Sequence, residues 1–265
     1  MTRKKEQELD KFYTADSCVL KCLQEFEKHV KLSEEDIIIE PSAGDGAFSD
    51  KLIEKYKENT IVSYDIKPGK KYIIEQDFLT LDVEEYKDKS VHIIGNPPFG
   101  RQSKLAKQFI KKCCKFSKTI SFILPKSFKK EIFIKTFPLN FHQILSVDLD
   151  TKSFLVNDEE YDVPCVFQIW EKRDEKRSVK DKVEPVNFHY VKKDENPDIS
   201  FRRVGVYAGK VYKEIENKSS ESHYFIKFDE DHDIDSLIEK FEETVVFEKD
   251  NTVGPRSISK NELNE

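Results

Sequence analysis

Asp36-Ile37-Ile38-Ile39-Glu40-Pro41-Ser42-Ala43-Gly44-Asp45-Gly46-Ala47-Phe48 is the stretch on which the fold turns. Three consecutive isoleucines show no polar alternation, which suits a strand buried on both faces, as in a parallel sheet. Gly44 and Gly46 allow the tight turn that must follow, and Phe48, Leu52, Ile53 and Tyr56 then recur at helical spacing. A strand, a glycine turn and a helix start form the first βα unit of a doubly wound fold. The expected class is therefore α/β, a Rossmann-like, mostly parallel sheet whose ligands bind beyond the carboxyl ends of its strands.

The loop departs from dinucleotide binding. Its third glycine position is Ser49, and it carries Glu40 and Asp45. Two carboxylates would repel a pyrophosphate but attract a sulfonium cofactor with an α-amino group, so S-adenosylmethionine fits better than NAD. The next strand, Thr60-Ile61-Val62-Ser63-Tyr64-Asp65, ends in an acid twenty residues after Asp45, where a carboxylate commonly grips a ribose diol. Ile66 follows it. A third strand, read from Tyr72 to Leu79, brings Asp77 to accept from the cofactor's adenine amine and Phe78 to line its ring.

Further along, Val91-His92-Ile93-Ile94-Gly95 runs straight into Asn96-Pro97-Pro98-Phe99-Gly100. The two prolines fix their own φ angles and push Asn96 out of the α region, leaving a stiff turn. The Asn96 side-chain oxygen and the Pro97 carbonyl can then accept both hydrogens of one NH2 group, which localises the nitrogen lone pair and makes it nucleophilic. Phe99 offers a stacking face, worth ~1–3 kcal/mol per base in single-strand binders. That combination suits chemistry on an exocyclic amine.

Together these residues resemble the class I S-adenosylmethionine-dependent methyltransferases, and within them the amino-methyltransferases with an Asn/Asp/Ser-Pro-Pro-aromatic motif, especially the N6-adenine enzymes. The resemblance covers roughly residues 10–172. It implies that Glu40, Pro41, Ala43, Gly44 and Gly46 form the family's cofactor loop, with Asp65, Ile66, Asp77, Phe78 and Asn96 completing the cofactor site. Asn96, Pro97, Pro98 and Phe99 then form the catalytic motif. Asp10-Lys11-Phe12-Tyr13-Thr14 is similar to a segment preceding the core of many adenine DNA methyltransferases, which implies that Phe12, Tyr13 and Thr14 lie over the cofactor. The implied reaction is in-line methyl transfer to adenine N6, with neither metal nor covalent intermediate, after flipping of any base held in a duplex.

The formal net charge of −6 runs against a nucleic-acid substrate until it is mapped along the chain. Between Arg101 and Lys135 eleven bases face the single acid Glu131, directly after the Asn-Pro-Pro-Phe motif. Ala106, Phe109, Ile110 and Cys113 form the apolar stripe of a helix there, leaving lysines on its other faces. A phosphate-contacting surface is expected from Arg101, Lys104, Lys111, Lys126, Lys129 and Lys130, with Arg202 and Arg203 contributing from the C-terminal part.

The domain reading is a methyltransferase domain over 1–172, a linker over 173–183, and a small α+β recognition or lid domain over 184–265. Within the first, Ile144–Leu149 and Val163–Trp170 read as closing strands flanking a hydrophilic hairpin-like loop, Asn157 to Tyr161. Within the last, strands are expected at Val186–Val191, Gly205–Ala208 and His223–Phe228, and a helix starting at Asp235. The five cysteines follow no metal spacing, and no apolar stretch suits a secretion signal or a membrane span, so an intracellular protein, cytoplasmic or nuclear, is expected. The leading substrate is adenine in nucleic acid, DNA slightly ahead of RNA because of Phe12-Tyr13-Thr14. The alternatives are RNA adenine N6, rRNA guanine N2, a protein glutamine, or an inactive S-adenosylmethionine-binding subunit that recognises nucleic acid for a partner.

Overall fold

The computed structural model describes residues 13–150, 154–156, 159–161, 163–178, 182–247 and 256–265. The chain divides into two compact units, Met1–Ser178 and Val179–Glu265. Phe12, the turn Asn157-Asp158 and the middle of the expected linker lie outside the described residues.

The first unit is built on a seven-stranded sheet of β2 (Ile37–Glu40), β3 (Thr60–Asp65), β4 (Ile74–Glu75), β5 (Val91–Gly95), β6 (Thr119–Pro125), β7 (Phe141–Asp148) and β10 (Cys165–Lys172). Its spatial order is β4-β3-β2-β5-β6-β10-β7. The first five run parallel, with Ile39 opposite both Val62 and Ile93, and Ile93 opposite Ile120. This is the doubly wound, mostly parallel α/β architecture expected from the strand and turn pattern.

Alternation along the strands sends successive side chains to opposite faces, and each face has its own core. Ile37, Ile39, Ile93, Ile120 and Phe122 join Phe109 and Ile110 of α3 (Lys104–Cys113) on one side. Ile38, Ile94 and Ile123 meet Val19, Cys22 and Phe26 of α1 (Asp16–His29) and Phe48 and Leu52 of α2 (Ala47–Lys55) on the other. All four residues of the α3 stripe, Ala106, Phe109, Ile110 and Cys113, are buried. Fully burying each phenylalanine contributes about 1.5–3 kcal/mol.

One expectation is corrected and two others gain detail. The strand expected from Tyr72 to Leu79 shrinks to the two residues of β4, because Asp77 turns the chain: its carboxylate accepts the Leu79 N–H and its carbonyl accepts the Thr80 hydroxyl. The late strands close the sheet as expected, but in crossed order. β10 inserts between β6 and β7, antiparallel to both, so that Phe167 pairs with Ile123 on one side and Val147 on the other. The start of the expected linker packs on the first unit, since the Arg177 guanidinium donates to the carbonyls of Phe141, Ile134 and Phe137 and lies over the Trp170 ring. A separate small sheet pairs β1 (Tyr13–Thr14) with β8 (Phe154–Val156), which forms a hairpin with β9 (Glu159–Tyr161).

The second unit is a four-stranded antiparallel sheet, ordered β11-β14-β12-β13, from β11 (Phe188–Val191), β12 (Ile199–Arg202), β13 (Val211–Tyr212) and β14 (His223–Phe228). Helices α5 (Ile234–Thr244) and α6 (Lys260–Asn264) cover Ile199, Phe201 and Ile226 with Ile238, Phe241 and Leu263. Gly205–Ala208 is a turn, not the expected strand, and Gly205 there has φ 95°, which favours glycine. The helix is capped by Asp233, whose carboxylate accepts the N–H groups of Asp235 and Ser236, so it starts before Asp235. Among the described residues no helix is long and apolar enough to cross a membrane.

Candidate active site

Because β2, β3, β4 and β5 are parallel, their carboxyl ends share one edge of the sheet. Glu40, Asp65 and Asn96, far apart in the sequence, therefore meet there, in the crevice where such sheets bind ligands.

Helix α2 starts beyond Gly46, which has φ 83°, and Gly44 before it has φ 54°. A side chain at Gly44 would meet no atom within 4 Å, so the backbone of this loop faces open space into which a ligand can approach. The loop is held from two sides. Asp65 accepts the Gly44 N–H at 2.7 Å through one carboxylate oxygen and the Lys67 N–H at 2.7 Å through the other. Gly69 donates to the Gly44 carbonyl at 2.9 Å, while Lys70 and Tyr72 both bond Asp50 on α2. Beside Asp65, Ile66 is 62% exposed, an apolar surface at the strand end. Pro41 and Ala43 are buried in the loop, and Asp45 is exposed.

Glu40 departs from its expected role. It is 2% exposed and turns inward to accept a hydrogen bond from Ser49, which also contacts Ser63. Burial pushes its carboxyl up to about 8, against the opposing effect of the Ser49 bonds, so at neutral pH it does not present a charged carboxylate to a ligand. Ser49, which looked like a defect in the glycine pattern, is thus the partner of the strand-end acid. Its signal in the sequence is a small hydroxyl one helical turn past Gly46, facing that acid.

Asp77 is exposed beyond β4. Phe78 is 1% exposed, stacked on Phe109 at 5.5 Å and flanked by Tyr64 and Phe116, so the core takes both sides of its ring. It supports the strand end from beneath instead of lining a ligand's ring.

At the end of β5, Asn96 is half-buried and its amide is oriented by a residue 82 positions away. Its Nδ2 donates to the Thr14 hydroxyl at 3.2 Å, which turns Oδ1 the other way, and Oδ1 is buried without a hydrogen-bond partner among the described residues. The Asn96 backbone carbonyl accepts from Ser42 at 3.1 Å, tying this turn to the glycine loop. Gly95 lies so close to β2 that a Cβ would sit 3.3 Å from Glu40 Cγ. Pro97 is buried, Pro98 is half-buried, and Phe99 is half-buried against both cores. Beyond it the chain doubles back through Gln102 and Ser103, at φ 53° and 57°, so that the Phe99 carbonyl receives the N–H groups of Leu105 and Ala106. Such backbone strain, of order 1–3 kcal/mol per residue, clusters at functional sites. The backbone of Tyr13 pairs with Leu155 in the small sheet, which brings Thr14 to Asn96.

The expected phosphate surface is only partly available. Arg101, Lys104 and Lys111 are exposed. Lys126 and Lys129 each lie 3.0 Å from Asp148, and although burial opposes it, these two ammonium groups hold that carboxyl below its usual range. Lys130 is half-buried at the turn preceding α4 (Glu131–Ile134). Lys112 bonds the Leu79 and Leu81 carbonyls, and Lys107 lies over the Phe133 ring at 4.4 Å. In the second unit, Arg202 donates to the Val204 carbonyl at 2.8 Å and Arg203 to the Glu221 carbonyl at 2.7 Å, so both are engaged within the fold. Among the described residues no group of three or more His, Cys, Asp or Glu is arranged to hold a metal ion.

A family model described as the EDM2 methyltransferase-like domain matches residues 31–183. No curated protein matches the sequence. Among solved structures, protein 1320 of Thermoplasma acidophilum is similar at 17% identity and a TM-score of 0.44, over 66% of this chain and 99% of its own. PH1948 of Pyrococcus horikoshii is similar at 15% identity and a TM-score of 0.43, over 63% and 88%. TrmN of Thermus thermophilus is similar at 10% and 0.42, over 58% of this chain but only 48% of that one.

Proposed function

Since the chain belongs to the EDM2 methyltransferase-like domain family, we propose that it transfers a methyl group from S-adenosylmethionine to the exocyclic N6 amine of adenine in nucleic acid. Methyl transfer from this cofactor is what the family and the fold support. The adenine assignment rests on one observation, the Asn96 amide: its Nδ2 is engaged by Thr14 while, among the described residues, its Oδ1 has no donor. An unpartnered buried acceptor costs about 1–3 kcal/mol, which a target N–H would recover.

The residues fit the cofactor. The glycine loop is open at Gly44, Asp65 is fixed by backbone N–H groups with lone pairs left for ribose hydroxyls, and Ile66 offers an exposed apolar face for an adenine ring. Glu40, Pro41, Ala43 and Gly46 shape the loop, and Asp77 stands beyond the next strand end for the adenine amine. Thr14 reaches the site through its hydroxyl, which accepts from the Asn96 amide. When bound, S-adenosylmethionine supplies an already activated methyl group, so the protein's work is to orient the amine and exclude water. Asn96 Oδ1 and the Pro97 carbonyl accept the two amine hydrogens, Pro98 stiffens the turn, and Phe99 stacks on the target base. Arg101, Lys104 and Lys111, exposed directly after this motif, support a polyanionic substrate.

The test is incubation of the purified chain with labelled S-adenosylmethionine and matched RNA, DNA and protein pools, followed by digestion and mass identification of the product. N6-methyladenosine or its deoxy form is expected and distinguishes RNA from DNA; N2-methylguanosine or methylglutamine overturns the substrate assignment. Asn96→Ala should lower transfer at least ~10²-fold, the scale of removing one positioned polar group. Cofactor binding without any product would identify an inactive binding subunit instead.

A further inference from the structure

A cavity of about 400 Å³ lies wholly within the second unit, between the end of β11, the start of β14 and the first residue of α6. Tyr190 and Tyr224 are its aromatic walls, and Lys192, Lys193 and Lys260 bring cations to it. The two rings meet edge to face at 5.5 Å, and Phe201 stacks behind Tyr224 at 6.3 Å. Their hydroxyls are turned away from ligand duty, Tyr190 donating to Asn264 at 2.6 Å and Tyr224 to the Ile258 carbonyl at 3.2 Å. What the tyrosines present is therefore ring surface, shared on Tyr224 with the Arg203 guanidinium at 5.5 Å and on Tyr190 with the Lys260 ammonium.

The state of the lysines points to the ligand. Lys260 Nζ lies 3.9 Å from the Tyr190 ring centroid and 5.7 Å from that of Tyr224, and among the described residues no carboxylate lies within salt-bridge distance of it. Lys193 donates to the Glu216 carbonyl, with no carboxylate among the described residues within salt-bridge distance of it, and Lys192 reaches Glu195 only at 3.7 Å and with both side chains exposed. Among the described residues Asp194 is the one acid on the lining. Lys126 and Lys129 of the first unit, by contrast, share a carboxylate.

We propose that this cavity binds one nucleotide of a single-stranded nucleic acid, with the phosphate on Lys193 and Lys260 and assistance from Lys192. Aromatic walls with a cationic rim are the chemistry of single-strand binding. The volume lies near the lower end of the roughly 300–1,000 Å³ of small-molecule sites, which admits a nucleotide but not a duplex. The proposal goes beyond the methyl-transfer site and rests on that reading only for the choice of a nucleic acid as ligand.

The experiment measures binding of the full chain to fluorescent single-stranded RNA and DNA 12-mers, to the same sequences as duplexes and to AMP, across a salt series. Lys260→Gln with Lys193→Gln should weaken single-strand binding about tenfold or more and lower the salt slope by roughly 0.7, for the one phosphate no longer neutralised. Ultraviolet cross-linking of the wild type should label Tyr190 or Tyr224. Unchanged affinity in the double variant, cross-links confined to residues 101–135, duplex binding equal to single-strand binding, or AMP binding as tightly as the 12-mer would each overturn the proposal. The Lys192→Gln variant, on an exposed side chain, provides a second reading if the double variant does not fold. Asn96→Ala should leave this binding intact, so loss of methyl transfer and loss of strand binding remain separable.

Discussion

Glu40 and His92 respond to pH in opposite directions. The Glu40 carboxyl ionises at about 8 in the fold instead of 4.5, chiefly through burial. The unfolded chain releases this proton first, so the group's contribution to stability is complete below about 4.5 and is lost as pH rises through about 8. Glu40→Gln should therefore match the wild type near pH 5 and exceed it in stability at pH 8; chemical denaturation at both values checks this, and parallel pH slopes for the two proteins would refute it. His92 is 4% exposed, and burial lowers its imidazole below 6.5 despite Asp36 at 3.4 Å, so its contribution is lost as pH falls through that range. A neutral Glu40 was not legible in the sequence, where a glutamate after three isoleucines gives its charge but not its enclosure by Ser49, Ser63 and Gly95.

At the scale of elements, the connection after β3 braces the glycine loop. A Cβ on Gly69 would come within 2.9 Å of the Asp45 Cα, a backbone atom that moves only with the loop itself. Gly69→Ala is expected to destabilise the protein by about 1–3 kcal/mol through overpacking and to weaken S-adenosylmethionine binding. Thermal melting and calorimetry test the two effects, and an unchanged cofactor affinity would remove the brace from the binding machinery. The stretch after Asn96 makes a second case. Its lysine density is plain in the sequence, but pairing across elements divides the cations, since Lys126 and Lys129 are held by Asp148 of β7. Reversing Arg101, Lys104 and Lys111 should lower nucleic-acid affinity and reduce the salt slope by roughly one for each phosphate no longer neutralised, whereas Lys126→Gln with Lys129→Gln should have the smaller effect. Equal effects from the two sets would refute this division.

For the whole molecule, the cores on both faces of the seven-stranded sheet are complete within Met1–Ser178. A chain ending at Ser178 should therefore fold and bind S-adenosylmethionine with wild-type affinity by calorimetry; a failure to bind would make the second unit part of the cofactor site. Contiguous features of this protein were determined by the sequence alone. The triple isoleucine, the paired glycines and the stripe Ala106, Phe109, Ile110 and Cys113 specify a doubly wound sheet with a helix on its face, because periodicity states locally which side must leave water. The turn Asn96-Pro97-Pro98-Phe99 was equally legible, since the prolines restrict it from within. Tertiary structure alone placed β10 inside the sheet, turned Phe78 into the core and engaged Arg202 and Arg203. It also set Thr14 against Asn96 across 82 residues, leaving the Oδ1 acceptor unpartnered among the described residues. Hydrogen bonds and charge states of this kind depend on which distant groups the fold brings within a few ångströms, and the local pattern carries no record of those partners.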